Sequence, residues 1–238
     1  MKDLNFYKDI HKNNRAFVVA TGPSLRVEDL ELIKGNISFS CNKIYLAYEL
    51  TDWRPEYYSV IDRLVAQNYS EVVSTLDSVK FFAGLTKQYF KNTDGIYWLK
   101  DLPSPVIDGK RQSMFSTDIF NGTYGGYTVV YTLMQVAYFM GIKELFLLGL
   151  DFSFDKSATT GRITSAGEEI LVQNAEVNHF HKDYRKKGEE WTIPRLDIQY
   201  DAFRCAKETF EKNGRKIFNA SRQTKLDVFP LVPLEDVL

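Results

Sequence analysis

Few cysteines, histidines or prolines occur in this chain. Among 238 residues there are two Cys, three His and seven Pro. Cys41 and Cys205 stand far apart, without metal-ligand spacing. That excludes a disulfide framework and a zinc module, and fits a reducing compartment. An excess of either charge is also missing: 30 basic residues face 31 acidic ones, net −1. Bulk charge therefore gives no reason to expect nucleic acid as a partner. No apolar run approaches the roughly 20 residues that span a bilayer. The opening Met1-Lys-Asp-Leu-Asn5 has no apolar signal region. The expectation is a cytoplasmic chain. Peripheral attachment at the inner face of a membrane and homo-oligomerisation stay open.

What is present is a core. The chain is 44% hydrophobic and 14% aromatic, enough for one α/β domain with a sizeable insertion. Its most informative stretch is Arg15-Ala-Phe-Val-Val-Ala-Thr-Gly-Pro-Ser-Leu25. A β-branched, apolar run stops at Thr21-Gly22-Pro23-Ser24, and a helical pattern starts near Val27. This predicts a first strand feeding a tight turn, with Ser24 as the helix N-cap. Gly22 would let backbone approach a ligand closely. The full dinucleotide glycine pattern and a P-loop lysine are both lacking.

Further strands are expected at 37–42, 57–62, 79–84, 96–99, 144–149 and 216–220. Helices are expected at 63–77, 127–140 and 197–213. Residues 100–121 read as a long loop. Residues 153–195 are polar and aperiodic; they read as a lid-like insertion with one short helix near 167–175. Strands alternating with helices predict a doubly wound, mostly parallel, Rossmann-like α/β sheet. One such domain would occupy 1–238.

Ligands of such sheets sit at the carboxyl ends of the strands. Those ends carry Thr21-Gly22, Asn42, Asp62, Gly84, Asp151 and Asn219. The Asn42 carboxamide suits a base edge or a ribose hydroxyl; an Asx turn would use it equally well. Asp62 and Asp151 could bind a hydroxyl or a metal, or cap loop backbone. Gly122, Thr123, Gly125 and Gly126 precede the buried helix, where helix N–H groups favour phosphate or carboxylate. Asn178-His-Phe-His181 places two imidazoles in the polar insertion, where acid/base work suits them better than an incomplete metal set. Tyr184 and Arg185 follow, and a cation there could meet a leaving phosphate.

Five segments occur in a fixed order: Ala20-Thr-Gly-Pro-Ser-Leu25, Ser40-Cys-Asn-Lys-Ile-Tyr45, Gly141–Phe152, Asn178–His181 and Lys216-Ile-Phe-Asn-Ala-Ser221. Together they resemble the superfamily of the Campylobacter-type CMP-sialic-acid sialyltransferases. They look still more like its sister group, the 6-hydroxymethylpterin diphosphokinase-like family. The resemblance spans nearly the whole chain and implies a Rossmann-like domain with a lid. In the sialyltransferases the Gly-Pro-Ser-Leu turn and the Asn after the second strand hold CMP, no metal is required, and a lid histidine is the base. The matching positions here are Gly22 to Leu25, Asn42, and either His179 or His181, with His181 favoured. There are departures. Thr21 and Asp62 replace Asn, no Tyr follows the central strand (Tyr184 is the substitute), and Asn121–Gly126 replaces an Arg-Ile-Thr-Ser-Gly run.

Three functions are consistent with this. The favoured one is a nucleotide-dependent transferase moving a CMP-activated acidic sugar to a glycan acceptor in surface-glycan biosynthesis. The second is a 6-hydroxymethyl-7,8-dihydropterin diphosphokinase using ATP and Mg²⁺ on Asp62 and Asp151. The third is a non-catalytic nucleotide-binding scaffold.

Overall fold

A computed structural model describes residues 3–155, 158–163 and 169–238. In chain order its main elements are β1 (Arg15–Val19), α1 (Val27–Leu32), β2 (Ser38–Cys41), β3 (Tyr57–Ser59), α2 (Arg63–Thr75), β4 (Val79–Ala83) and β5 (Ile96–Leu99). A small hairpin follows, β6 (Val106–Ile107) and β7 (Lys110–Arg111). Then come α3 (Val129–Phe139), β8 (Glu144–Leu148), β9 (Ala158–Ile163), β10 (Glu169–Val172), β11 (Glu190–Thr192), α4 (Leu196–Lys212) and β12 (Lys216–Asn219).

Seven strands form one sheet in the order β12-β8-β1-β2-β3-β4-β5. Every pairing in it is parallel. The chain first builds outward from β1 to β5. It then returns along α3 and lays β8 and β12 on the opposite side of β1. The order therefore reverses between β1 and β8, and a crevice opens there at the carboxyl ends.

Alternation along the strands separates two cores. Ala16 and Val18 face the layer of α3 and α4, whereas Phe17 and Val19 face the layer that holds Leu30 of α1 and Ala66 of α2. Every residue of α3 is buried. A helix wedged between sheet and neighbouring helix has no solvent face, which is why its sequence is apolar nearly all round. Gly141 ends it with φ +88°.

Several boundaries differ from expectation. Ser24 does not cap α1: the N-cap is Arg26, whose N–H donates to Asp29. The 100–121 stretch is not all loop, because Asp108 and Gly109, both at positive φ, turn β6 back on β7. Of the short helix expected near 167–175, residues 167 and 168 lie outside the described ones and Glu169–Val172 form strand β10. Ile170 and Val172 pair with β11, and β10 also pairs with β9. Cross-strand partners there outweigh weak helical propensity. After β12 the tail returns along the sheet edge. Asn219 N–H donates to Pro230, Val232 N–H donates to Asn219, and Val228 and Phe229 are buried. Among the described residues no helix is long and apolar enough to cross a membrane.

One amide organises the chain between the hairpin and α3. Gln135, fully buried on α3, accepts N–H bonds from Ser116 and Tyr124 at 3.0 Å each, and donates to the Tyr124 and Tyr131 carbonyls. Replacing it by leucine strands two buried N–H groups. Gln135→Leu is expected to cost about 2–4 kcal/mol, measured as a fall in urea midpoint. A loss under about 0.5 kcal/mol, the range of ordinary surface substitutions, would contradict this account.

Candidate functional site

At the switch point the turn after β1 meets the turn after β8. Gly22 N–H donates to the Gly149 carbonyl at 2.8 Å. A Cβ on Gly22 would lie 2.5 Å from the Gly149 oxygen and 2.9 Å from Cγ of Asp151. Glycine is required there by backbone crowding. Asp151 completes the junction: Oδ2 accepts from Ser24 N–H at 2.7 Å, and Oδ1 accepts from the Ser24 hydroxyl. Burial raises the Asp151 pKa and the two Ser24 bonds oppose the rise.

Above this junction opens a cleft of about 730 Å³. Its lining includes Thr21, Gly22, Pro23, Asn42, Asp62 and Asp151 from the strand ends, Tyr124 to Val130 at the start of α3, and Asn178, His179 and Arg185 from the insertion. Four arginines line it (Arg63, Arg111, Arg185 and Arg195) against two aspartates, among the described residues. The balance favours an anionic ligand.

Most predicted strand-end residues are brought together. Asn42 sits at φ +49°, and its buried Oδ1 has no hydrogen-bond partner. Asp62 does two things: it lines the cleft and caps α2, accepting from Val65 N–H at 2.9 Å. Gly125 would meet nothing within 4 Å if it carried a Cβ, so its face is open space. Other predicted residues stand outside the lining. Ser24 is held by Asp151. Gly122 and Thr123 belong to a backbone bridge with Lys100 to Leu102, and Gly122 sits at φ +117° with the Lys100 carbonyl 2.4 Å from its ideal Cβ. Gly84 packs on the Leu99 carbonyl, and the Asn219 side chain bonds Ser221 and Thr224.

The insertion is anchored to β1. Phe180 N–H donates to the Thr21 carbonyl, and the Thr21 hydroxyl bonds the buried Tyr184 hydroxyl at 3.1 Å. Tyr184 is therefore occupied below the cleft. Its ring stacks on His179 at 3.7 Å and 5°. His179 Nδ1 donates to Glu176 Oε1 at 3.0 Å. Burial takes the His179 pKa down from 6.5 to about 4, against the pull of that hydrogen bond. For Glu176 burial would raise the pKa, but His179 and the Asn178 N–H outweigh it and hold it low. Arg185 lies 4.1 Å over the Trp191 ring, with its buried Nη1 lacking a hydrogen-bond partner. His181 stands apart from the lining, its Nδ1 accepting from Asp183 N–H at 3.2 Å.

Sequence reading passed over Glu176. A carboxylate three residues before a histidine was the available signal. Arg63, Arg111 and Arg195 were also passed over, because their convergence exists only in three dimensions.

A magnesium ion shared by Asp62 and Asp151 would need carboxylate oxygens free to ligate it. Both Asp151 oxygens are taken by Ser24, and no cluster of three or more His, Cys, Asp or Glu able to hold a metal occurs among the described residues. These residues do not fit a metal-binding pair of aspartates as they stand.

A family model for 6-hydroxymethylpterin diphosphokinase MptE-like proteins matches residues 1–157. The chain belongs to that MptE-like family. The matched span holds β1 to β8 and ends before most of the insertion, so His179 and Arg185 fall outside it. No curated protein matches the chain. Two solved structures share its fold. One is the MAf glycosyltransferase of Magnetospirillum magneticum AMB-1, at 14% identity and TM-score 0.53, covering 96% of this chain and 35% of that one. The other is the sialyltransferase CstII of Campylobacter jejuni, solved with the substrate analogue cytidine-5′-monophosphate, at 12% identity and TM-score 0.50, covering 94% and 86%. This MptE-like chain thus spans about a third of the Magnetospirillum protein.

Burying His179 uncharged has a consequence for stability. Its folded pKa lies below the unfolded value, so its contribution is complete above about pH 6.5 and is lost as pH falls towards 4. Between about pH 7.5 and about pH 5 it should remove ~2 kcal/mol. Urea unfolding of His179→Gln should show a pH dependence smaller by that amount. An unchanged slope would mean that His179 is not buried neutral.

Proposed function

We propose that this protein is a nucleotide-dependent transferase whose favoured reaction is transfer of an acidic sugar from a CMP donor to a hydroxyl acceptor. The carrying observation is the pairing of two groups in one cleft. His179 is backed by Glu176, and the Arg185 guanidinium has a buried, unpartnered nitrogen. The arginine excess and the shared fold with two glycosyltransferases add support.

In this reading the nucleotide lies along Thr21 to Pro23 and Asn42, where the Asn42 carboxamide oxygen seeks a donor. Gly125 leaves room for the phosphate or sugar near the start of α3. His179, neutral at physiological pH, takes the acceptor's hydroxyl proton on Nε2, since Nδ1 is committed to Glu176. The acceptor oxygen bonds to the anomeric carbon as the bond from that carbon to the phosphate oxygen breaks. CMP leaves with the bonding pair, and Arg185 meets its charge. Glu176 stabilises the imidazolium that forms. His179 thus replaces His181 as the assigned base.

Diphosphate transfer from ATP to a pterin is the second reading, favoured by the family's own description. It requires Asp151 to release Ser24 before serving a cation.

Differential scanning fluorimetry separates them. CMP without magnesium is expected to raise Tm; stabilisation by ATP and magnesium alone would overturn the CMP reading in favour of the second. With a CMP-activated acidic sugar, His179→Ala is expected to lose on the order of 100-fold in turnover, with CMP affinity kept and His181→Ala near wild type. The reverse pattern would return the base to His181. Gly125→Val should keep wild-type Tm and lose CMP binding, because the added branch fills only open cleft; unchanged affinity would move the ligand away from α3.

A further inference from the structure

Beyond β2 the chain places a lysine where lysines are rarely found. Lys43 is 3% exposed. Its ammonium donates to the Tyr184 carbonyl at 2.5 Å and to Glu189 Oε1 at 3.0 Å, and lies 3.6 Å from the centre of the Tyr69 ring on α2. Glu189 is held in turn by the Tyr69 hydroxyl at 3.0 Å and by Lys186 N–H at 3.0 Å. One cation thus joins the end of β2, helix α2 and two points of the insertion. Tyr184 is the key point. Its ring carries the stacked His179, and its carbonyl is the peptide link to Arg185.

We propose that Lys43 is a positioning residue: its ammonium clamps segment 176–189 onto the sheet and so sets where His179 and Arg185 stand in the cleft. Packing alone would not call for it, since apolar side chains of similar volume stabilise such sites as well as a buried ion pair. What an ammonium adds is direction, two hydrogen bonds at fixed angles on chain that otherwise has little regular structure. The proposal rests on His179 and Arg185 working in the cleft, but its test does not require the reaction. Charged and titratable groups facing His179 are Glu176 beside it, Tyr184 and Arg185 from the same segment, and Lys43 from the sheet.

The experiment is hydrogen exchange together with histidine NMR on the intact chain, in wild type, Lys43→Met and Glu189→Gln. Both variants are expected to speed amide exchange across 176–189 on the order of tenfold or more, with β1 and β8 unchanged. In Lys43→Met the His179 resonance should also titrate about one unit higher, as the stack loosens and a nearby cation is lost. His11, which bonds Tyr57 outside the insertion, serves as the internal reference. If Lys43→Met fails to fold, exchange in Glu189→Gln decides. Unchanged exchange over 176–189, or loosening spread evenly over the sheet, would overturn the proposal and leave Lys43 as packing. A wild type that ignores CMP would sink the donor reading while leaving this result standing.

Discussion

The Asp151 carboxylate ties together the two turns between which the cleft opens. β1 and β8 run side by side, and their outgoing turns diverge where the strand order reverses. The two short loops share the Gly22–Gly149 backbone bond and the packing of Leu25 near Gly149. Asp151 adds two bonds to Ser24, one to backbone and one to side chain. It holds the β1 turn in one shape before any ligand arrives. Burial works against its charge, so the pair persists because Ser24 satisfies both oxygens.

On that fixed floor the insertion brings chemistry that the sheet lacks. The strand ends supply amides, carboxylates and glycine. The imidazole and the buried guanidinium come from 176–189. Lys43 pairs with Glu189 at 3.0 Å, and Glu176, hydrogen-bonded to the neutral His179 at 3.0 Å, is offset by the Arg185 cation. Their near balance lets charged side chains sit deep without a net buried charge.

Much of this was legible in the sequence. The sheet was readable because buried parallel strands are short apolar runs closed by polar or glycine residues. Thr21, Gly22, Asn42, Asp62 and Asp151 all reach the cleft for that reason. Ser24 was misread as a helix cap because its partner lies 127 residues away. Strand β10 was read as helix because its neighbours β9 and β11 lie in a polar stretch without strand alternation, so the nearby pairing left no pattern to read. The two histidines could not be ranked from a spacing of two. His179 turns inward through its bond to Glu176 and its stack on Tyr184, whereas His181 bonds back to Asp183 N–H. Of the glycines read as ligand contacts, Gly122 stands outside the lining and Gly126 lines the cleft, and both are also tightly packed. The Lys100 carbonyl crowds the first and the Tyr131 ring the second.

The returning tail has a different consequence. A parallel sheet of seven strands must end somewhere, and a bare outer strand is an invitation to a neighbouring molecule's backbone. Beside β12 the residues that take the outer place are Pro230 to Val232, with Pro233 next. Proline has no N–H to offer. The edge thus presents few donors to an incoming strand, a feature that disfavours edge-to-edge pairing. Truncation before Pro230 would leave the cleft residues untouched and uncover that edge.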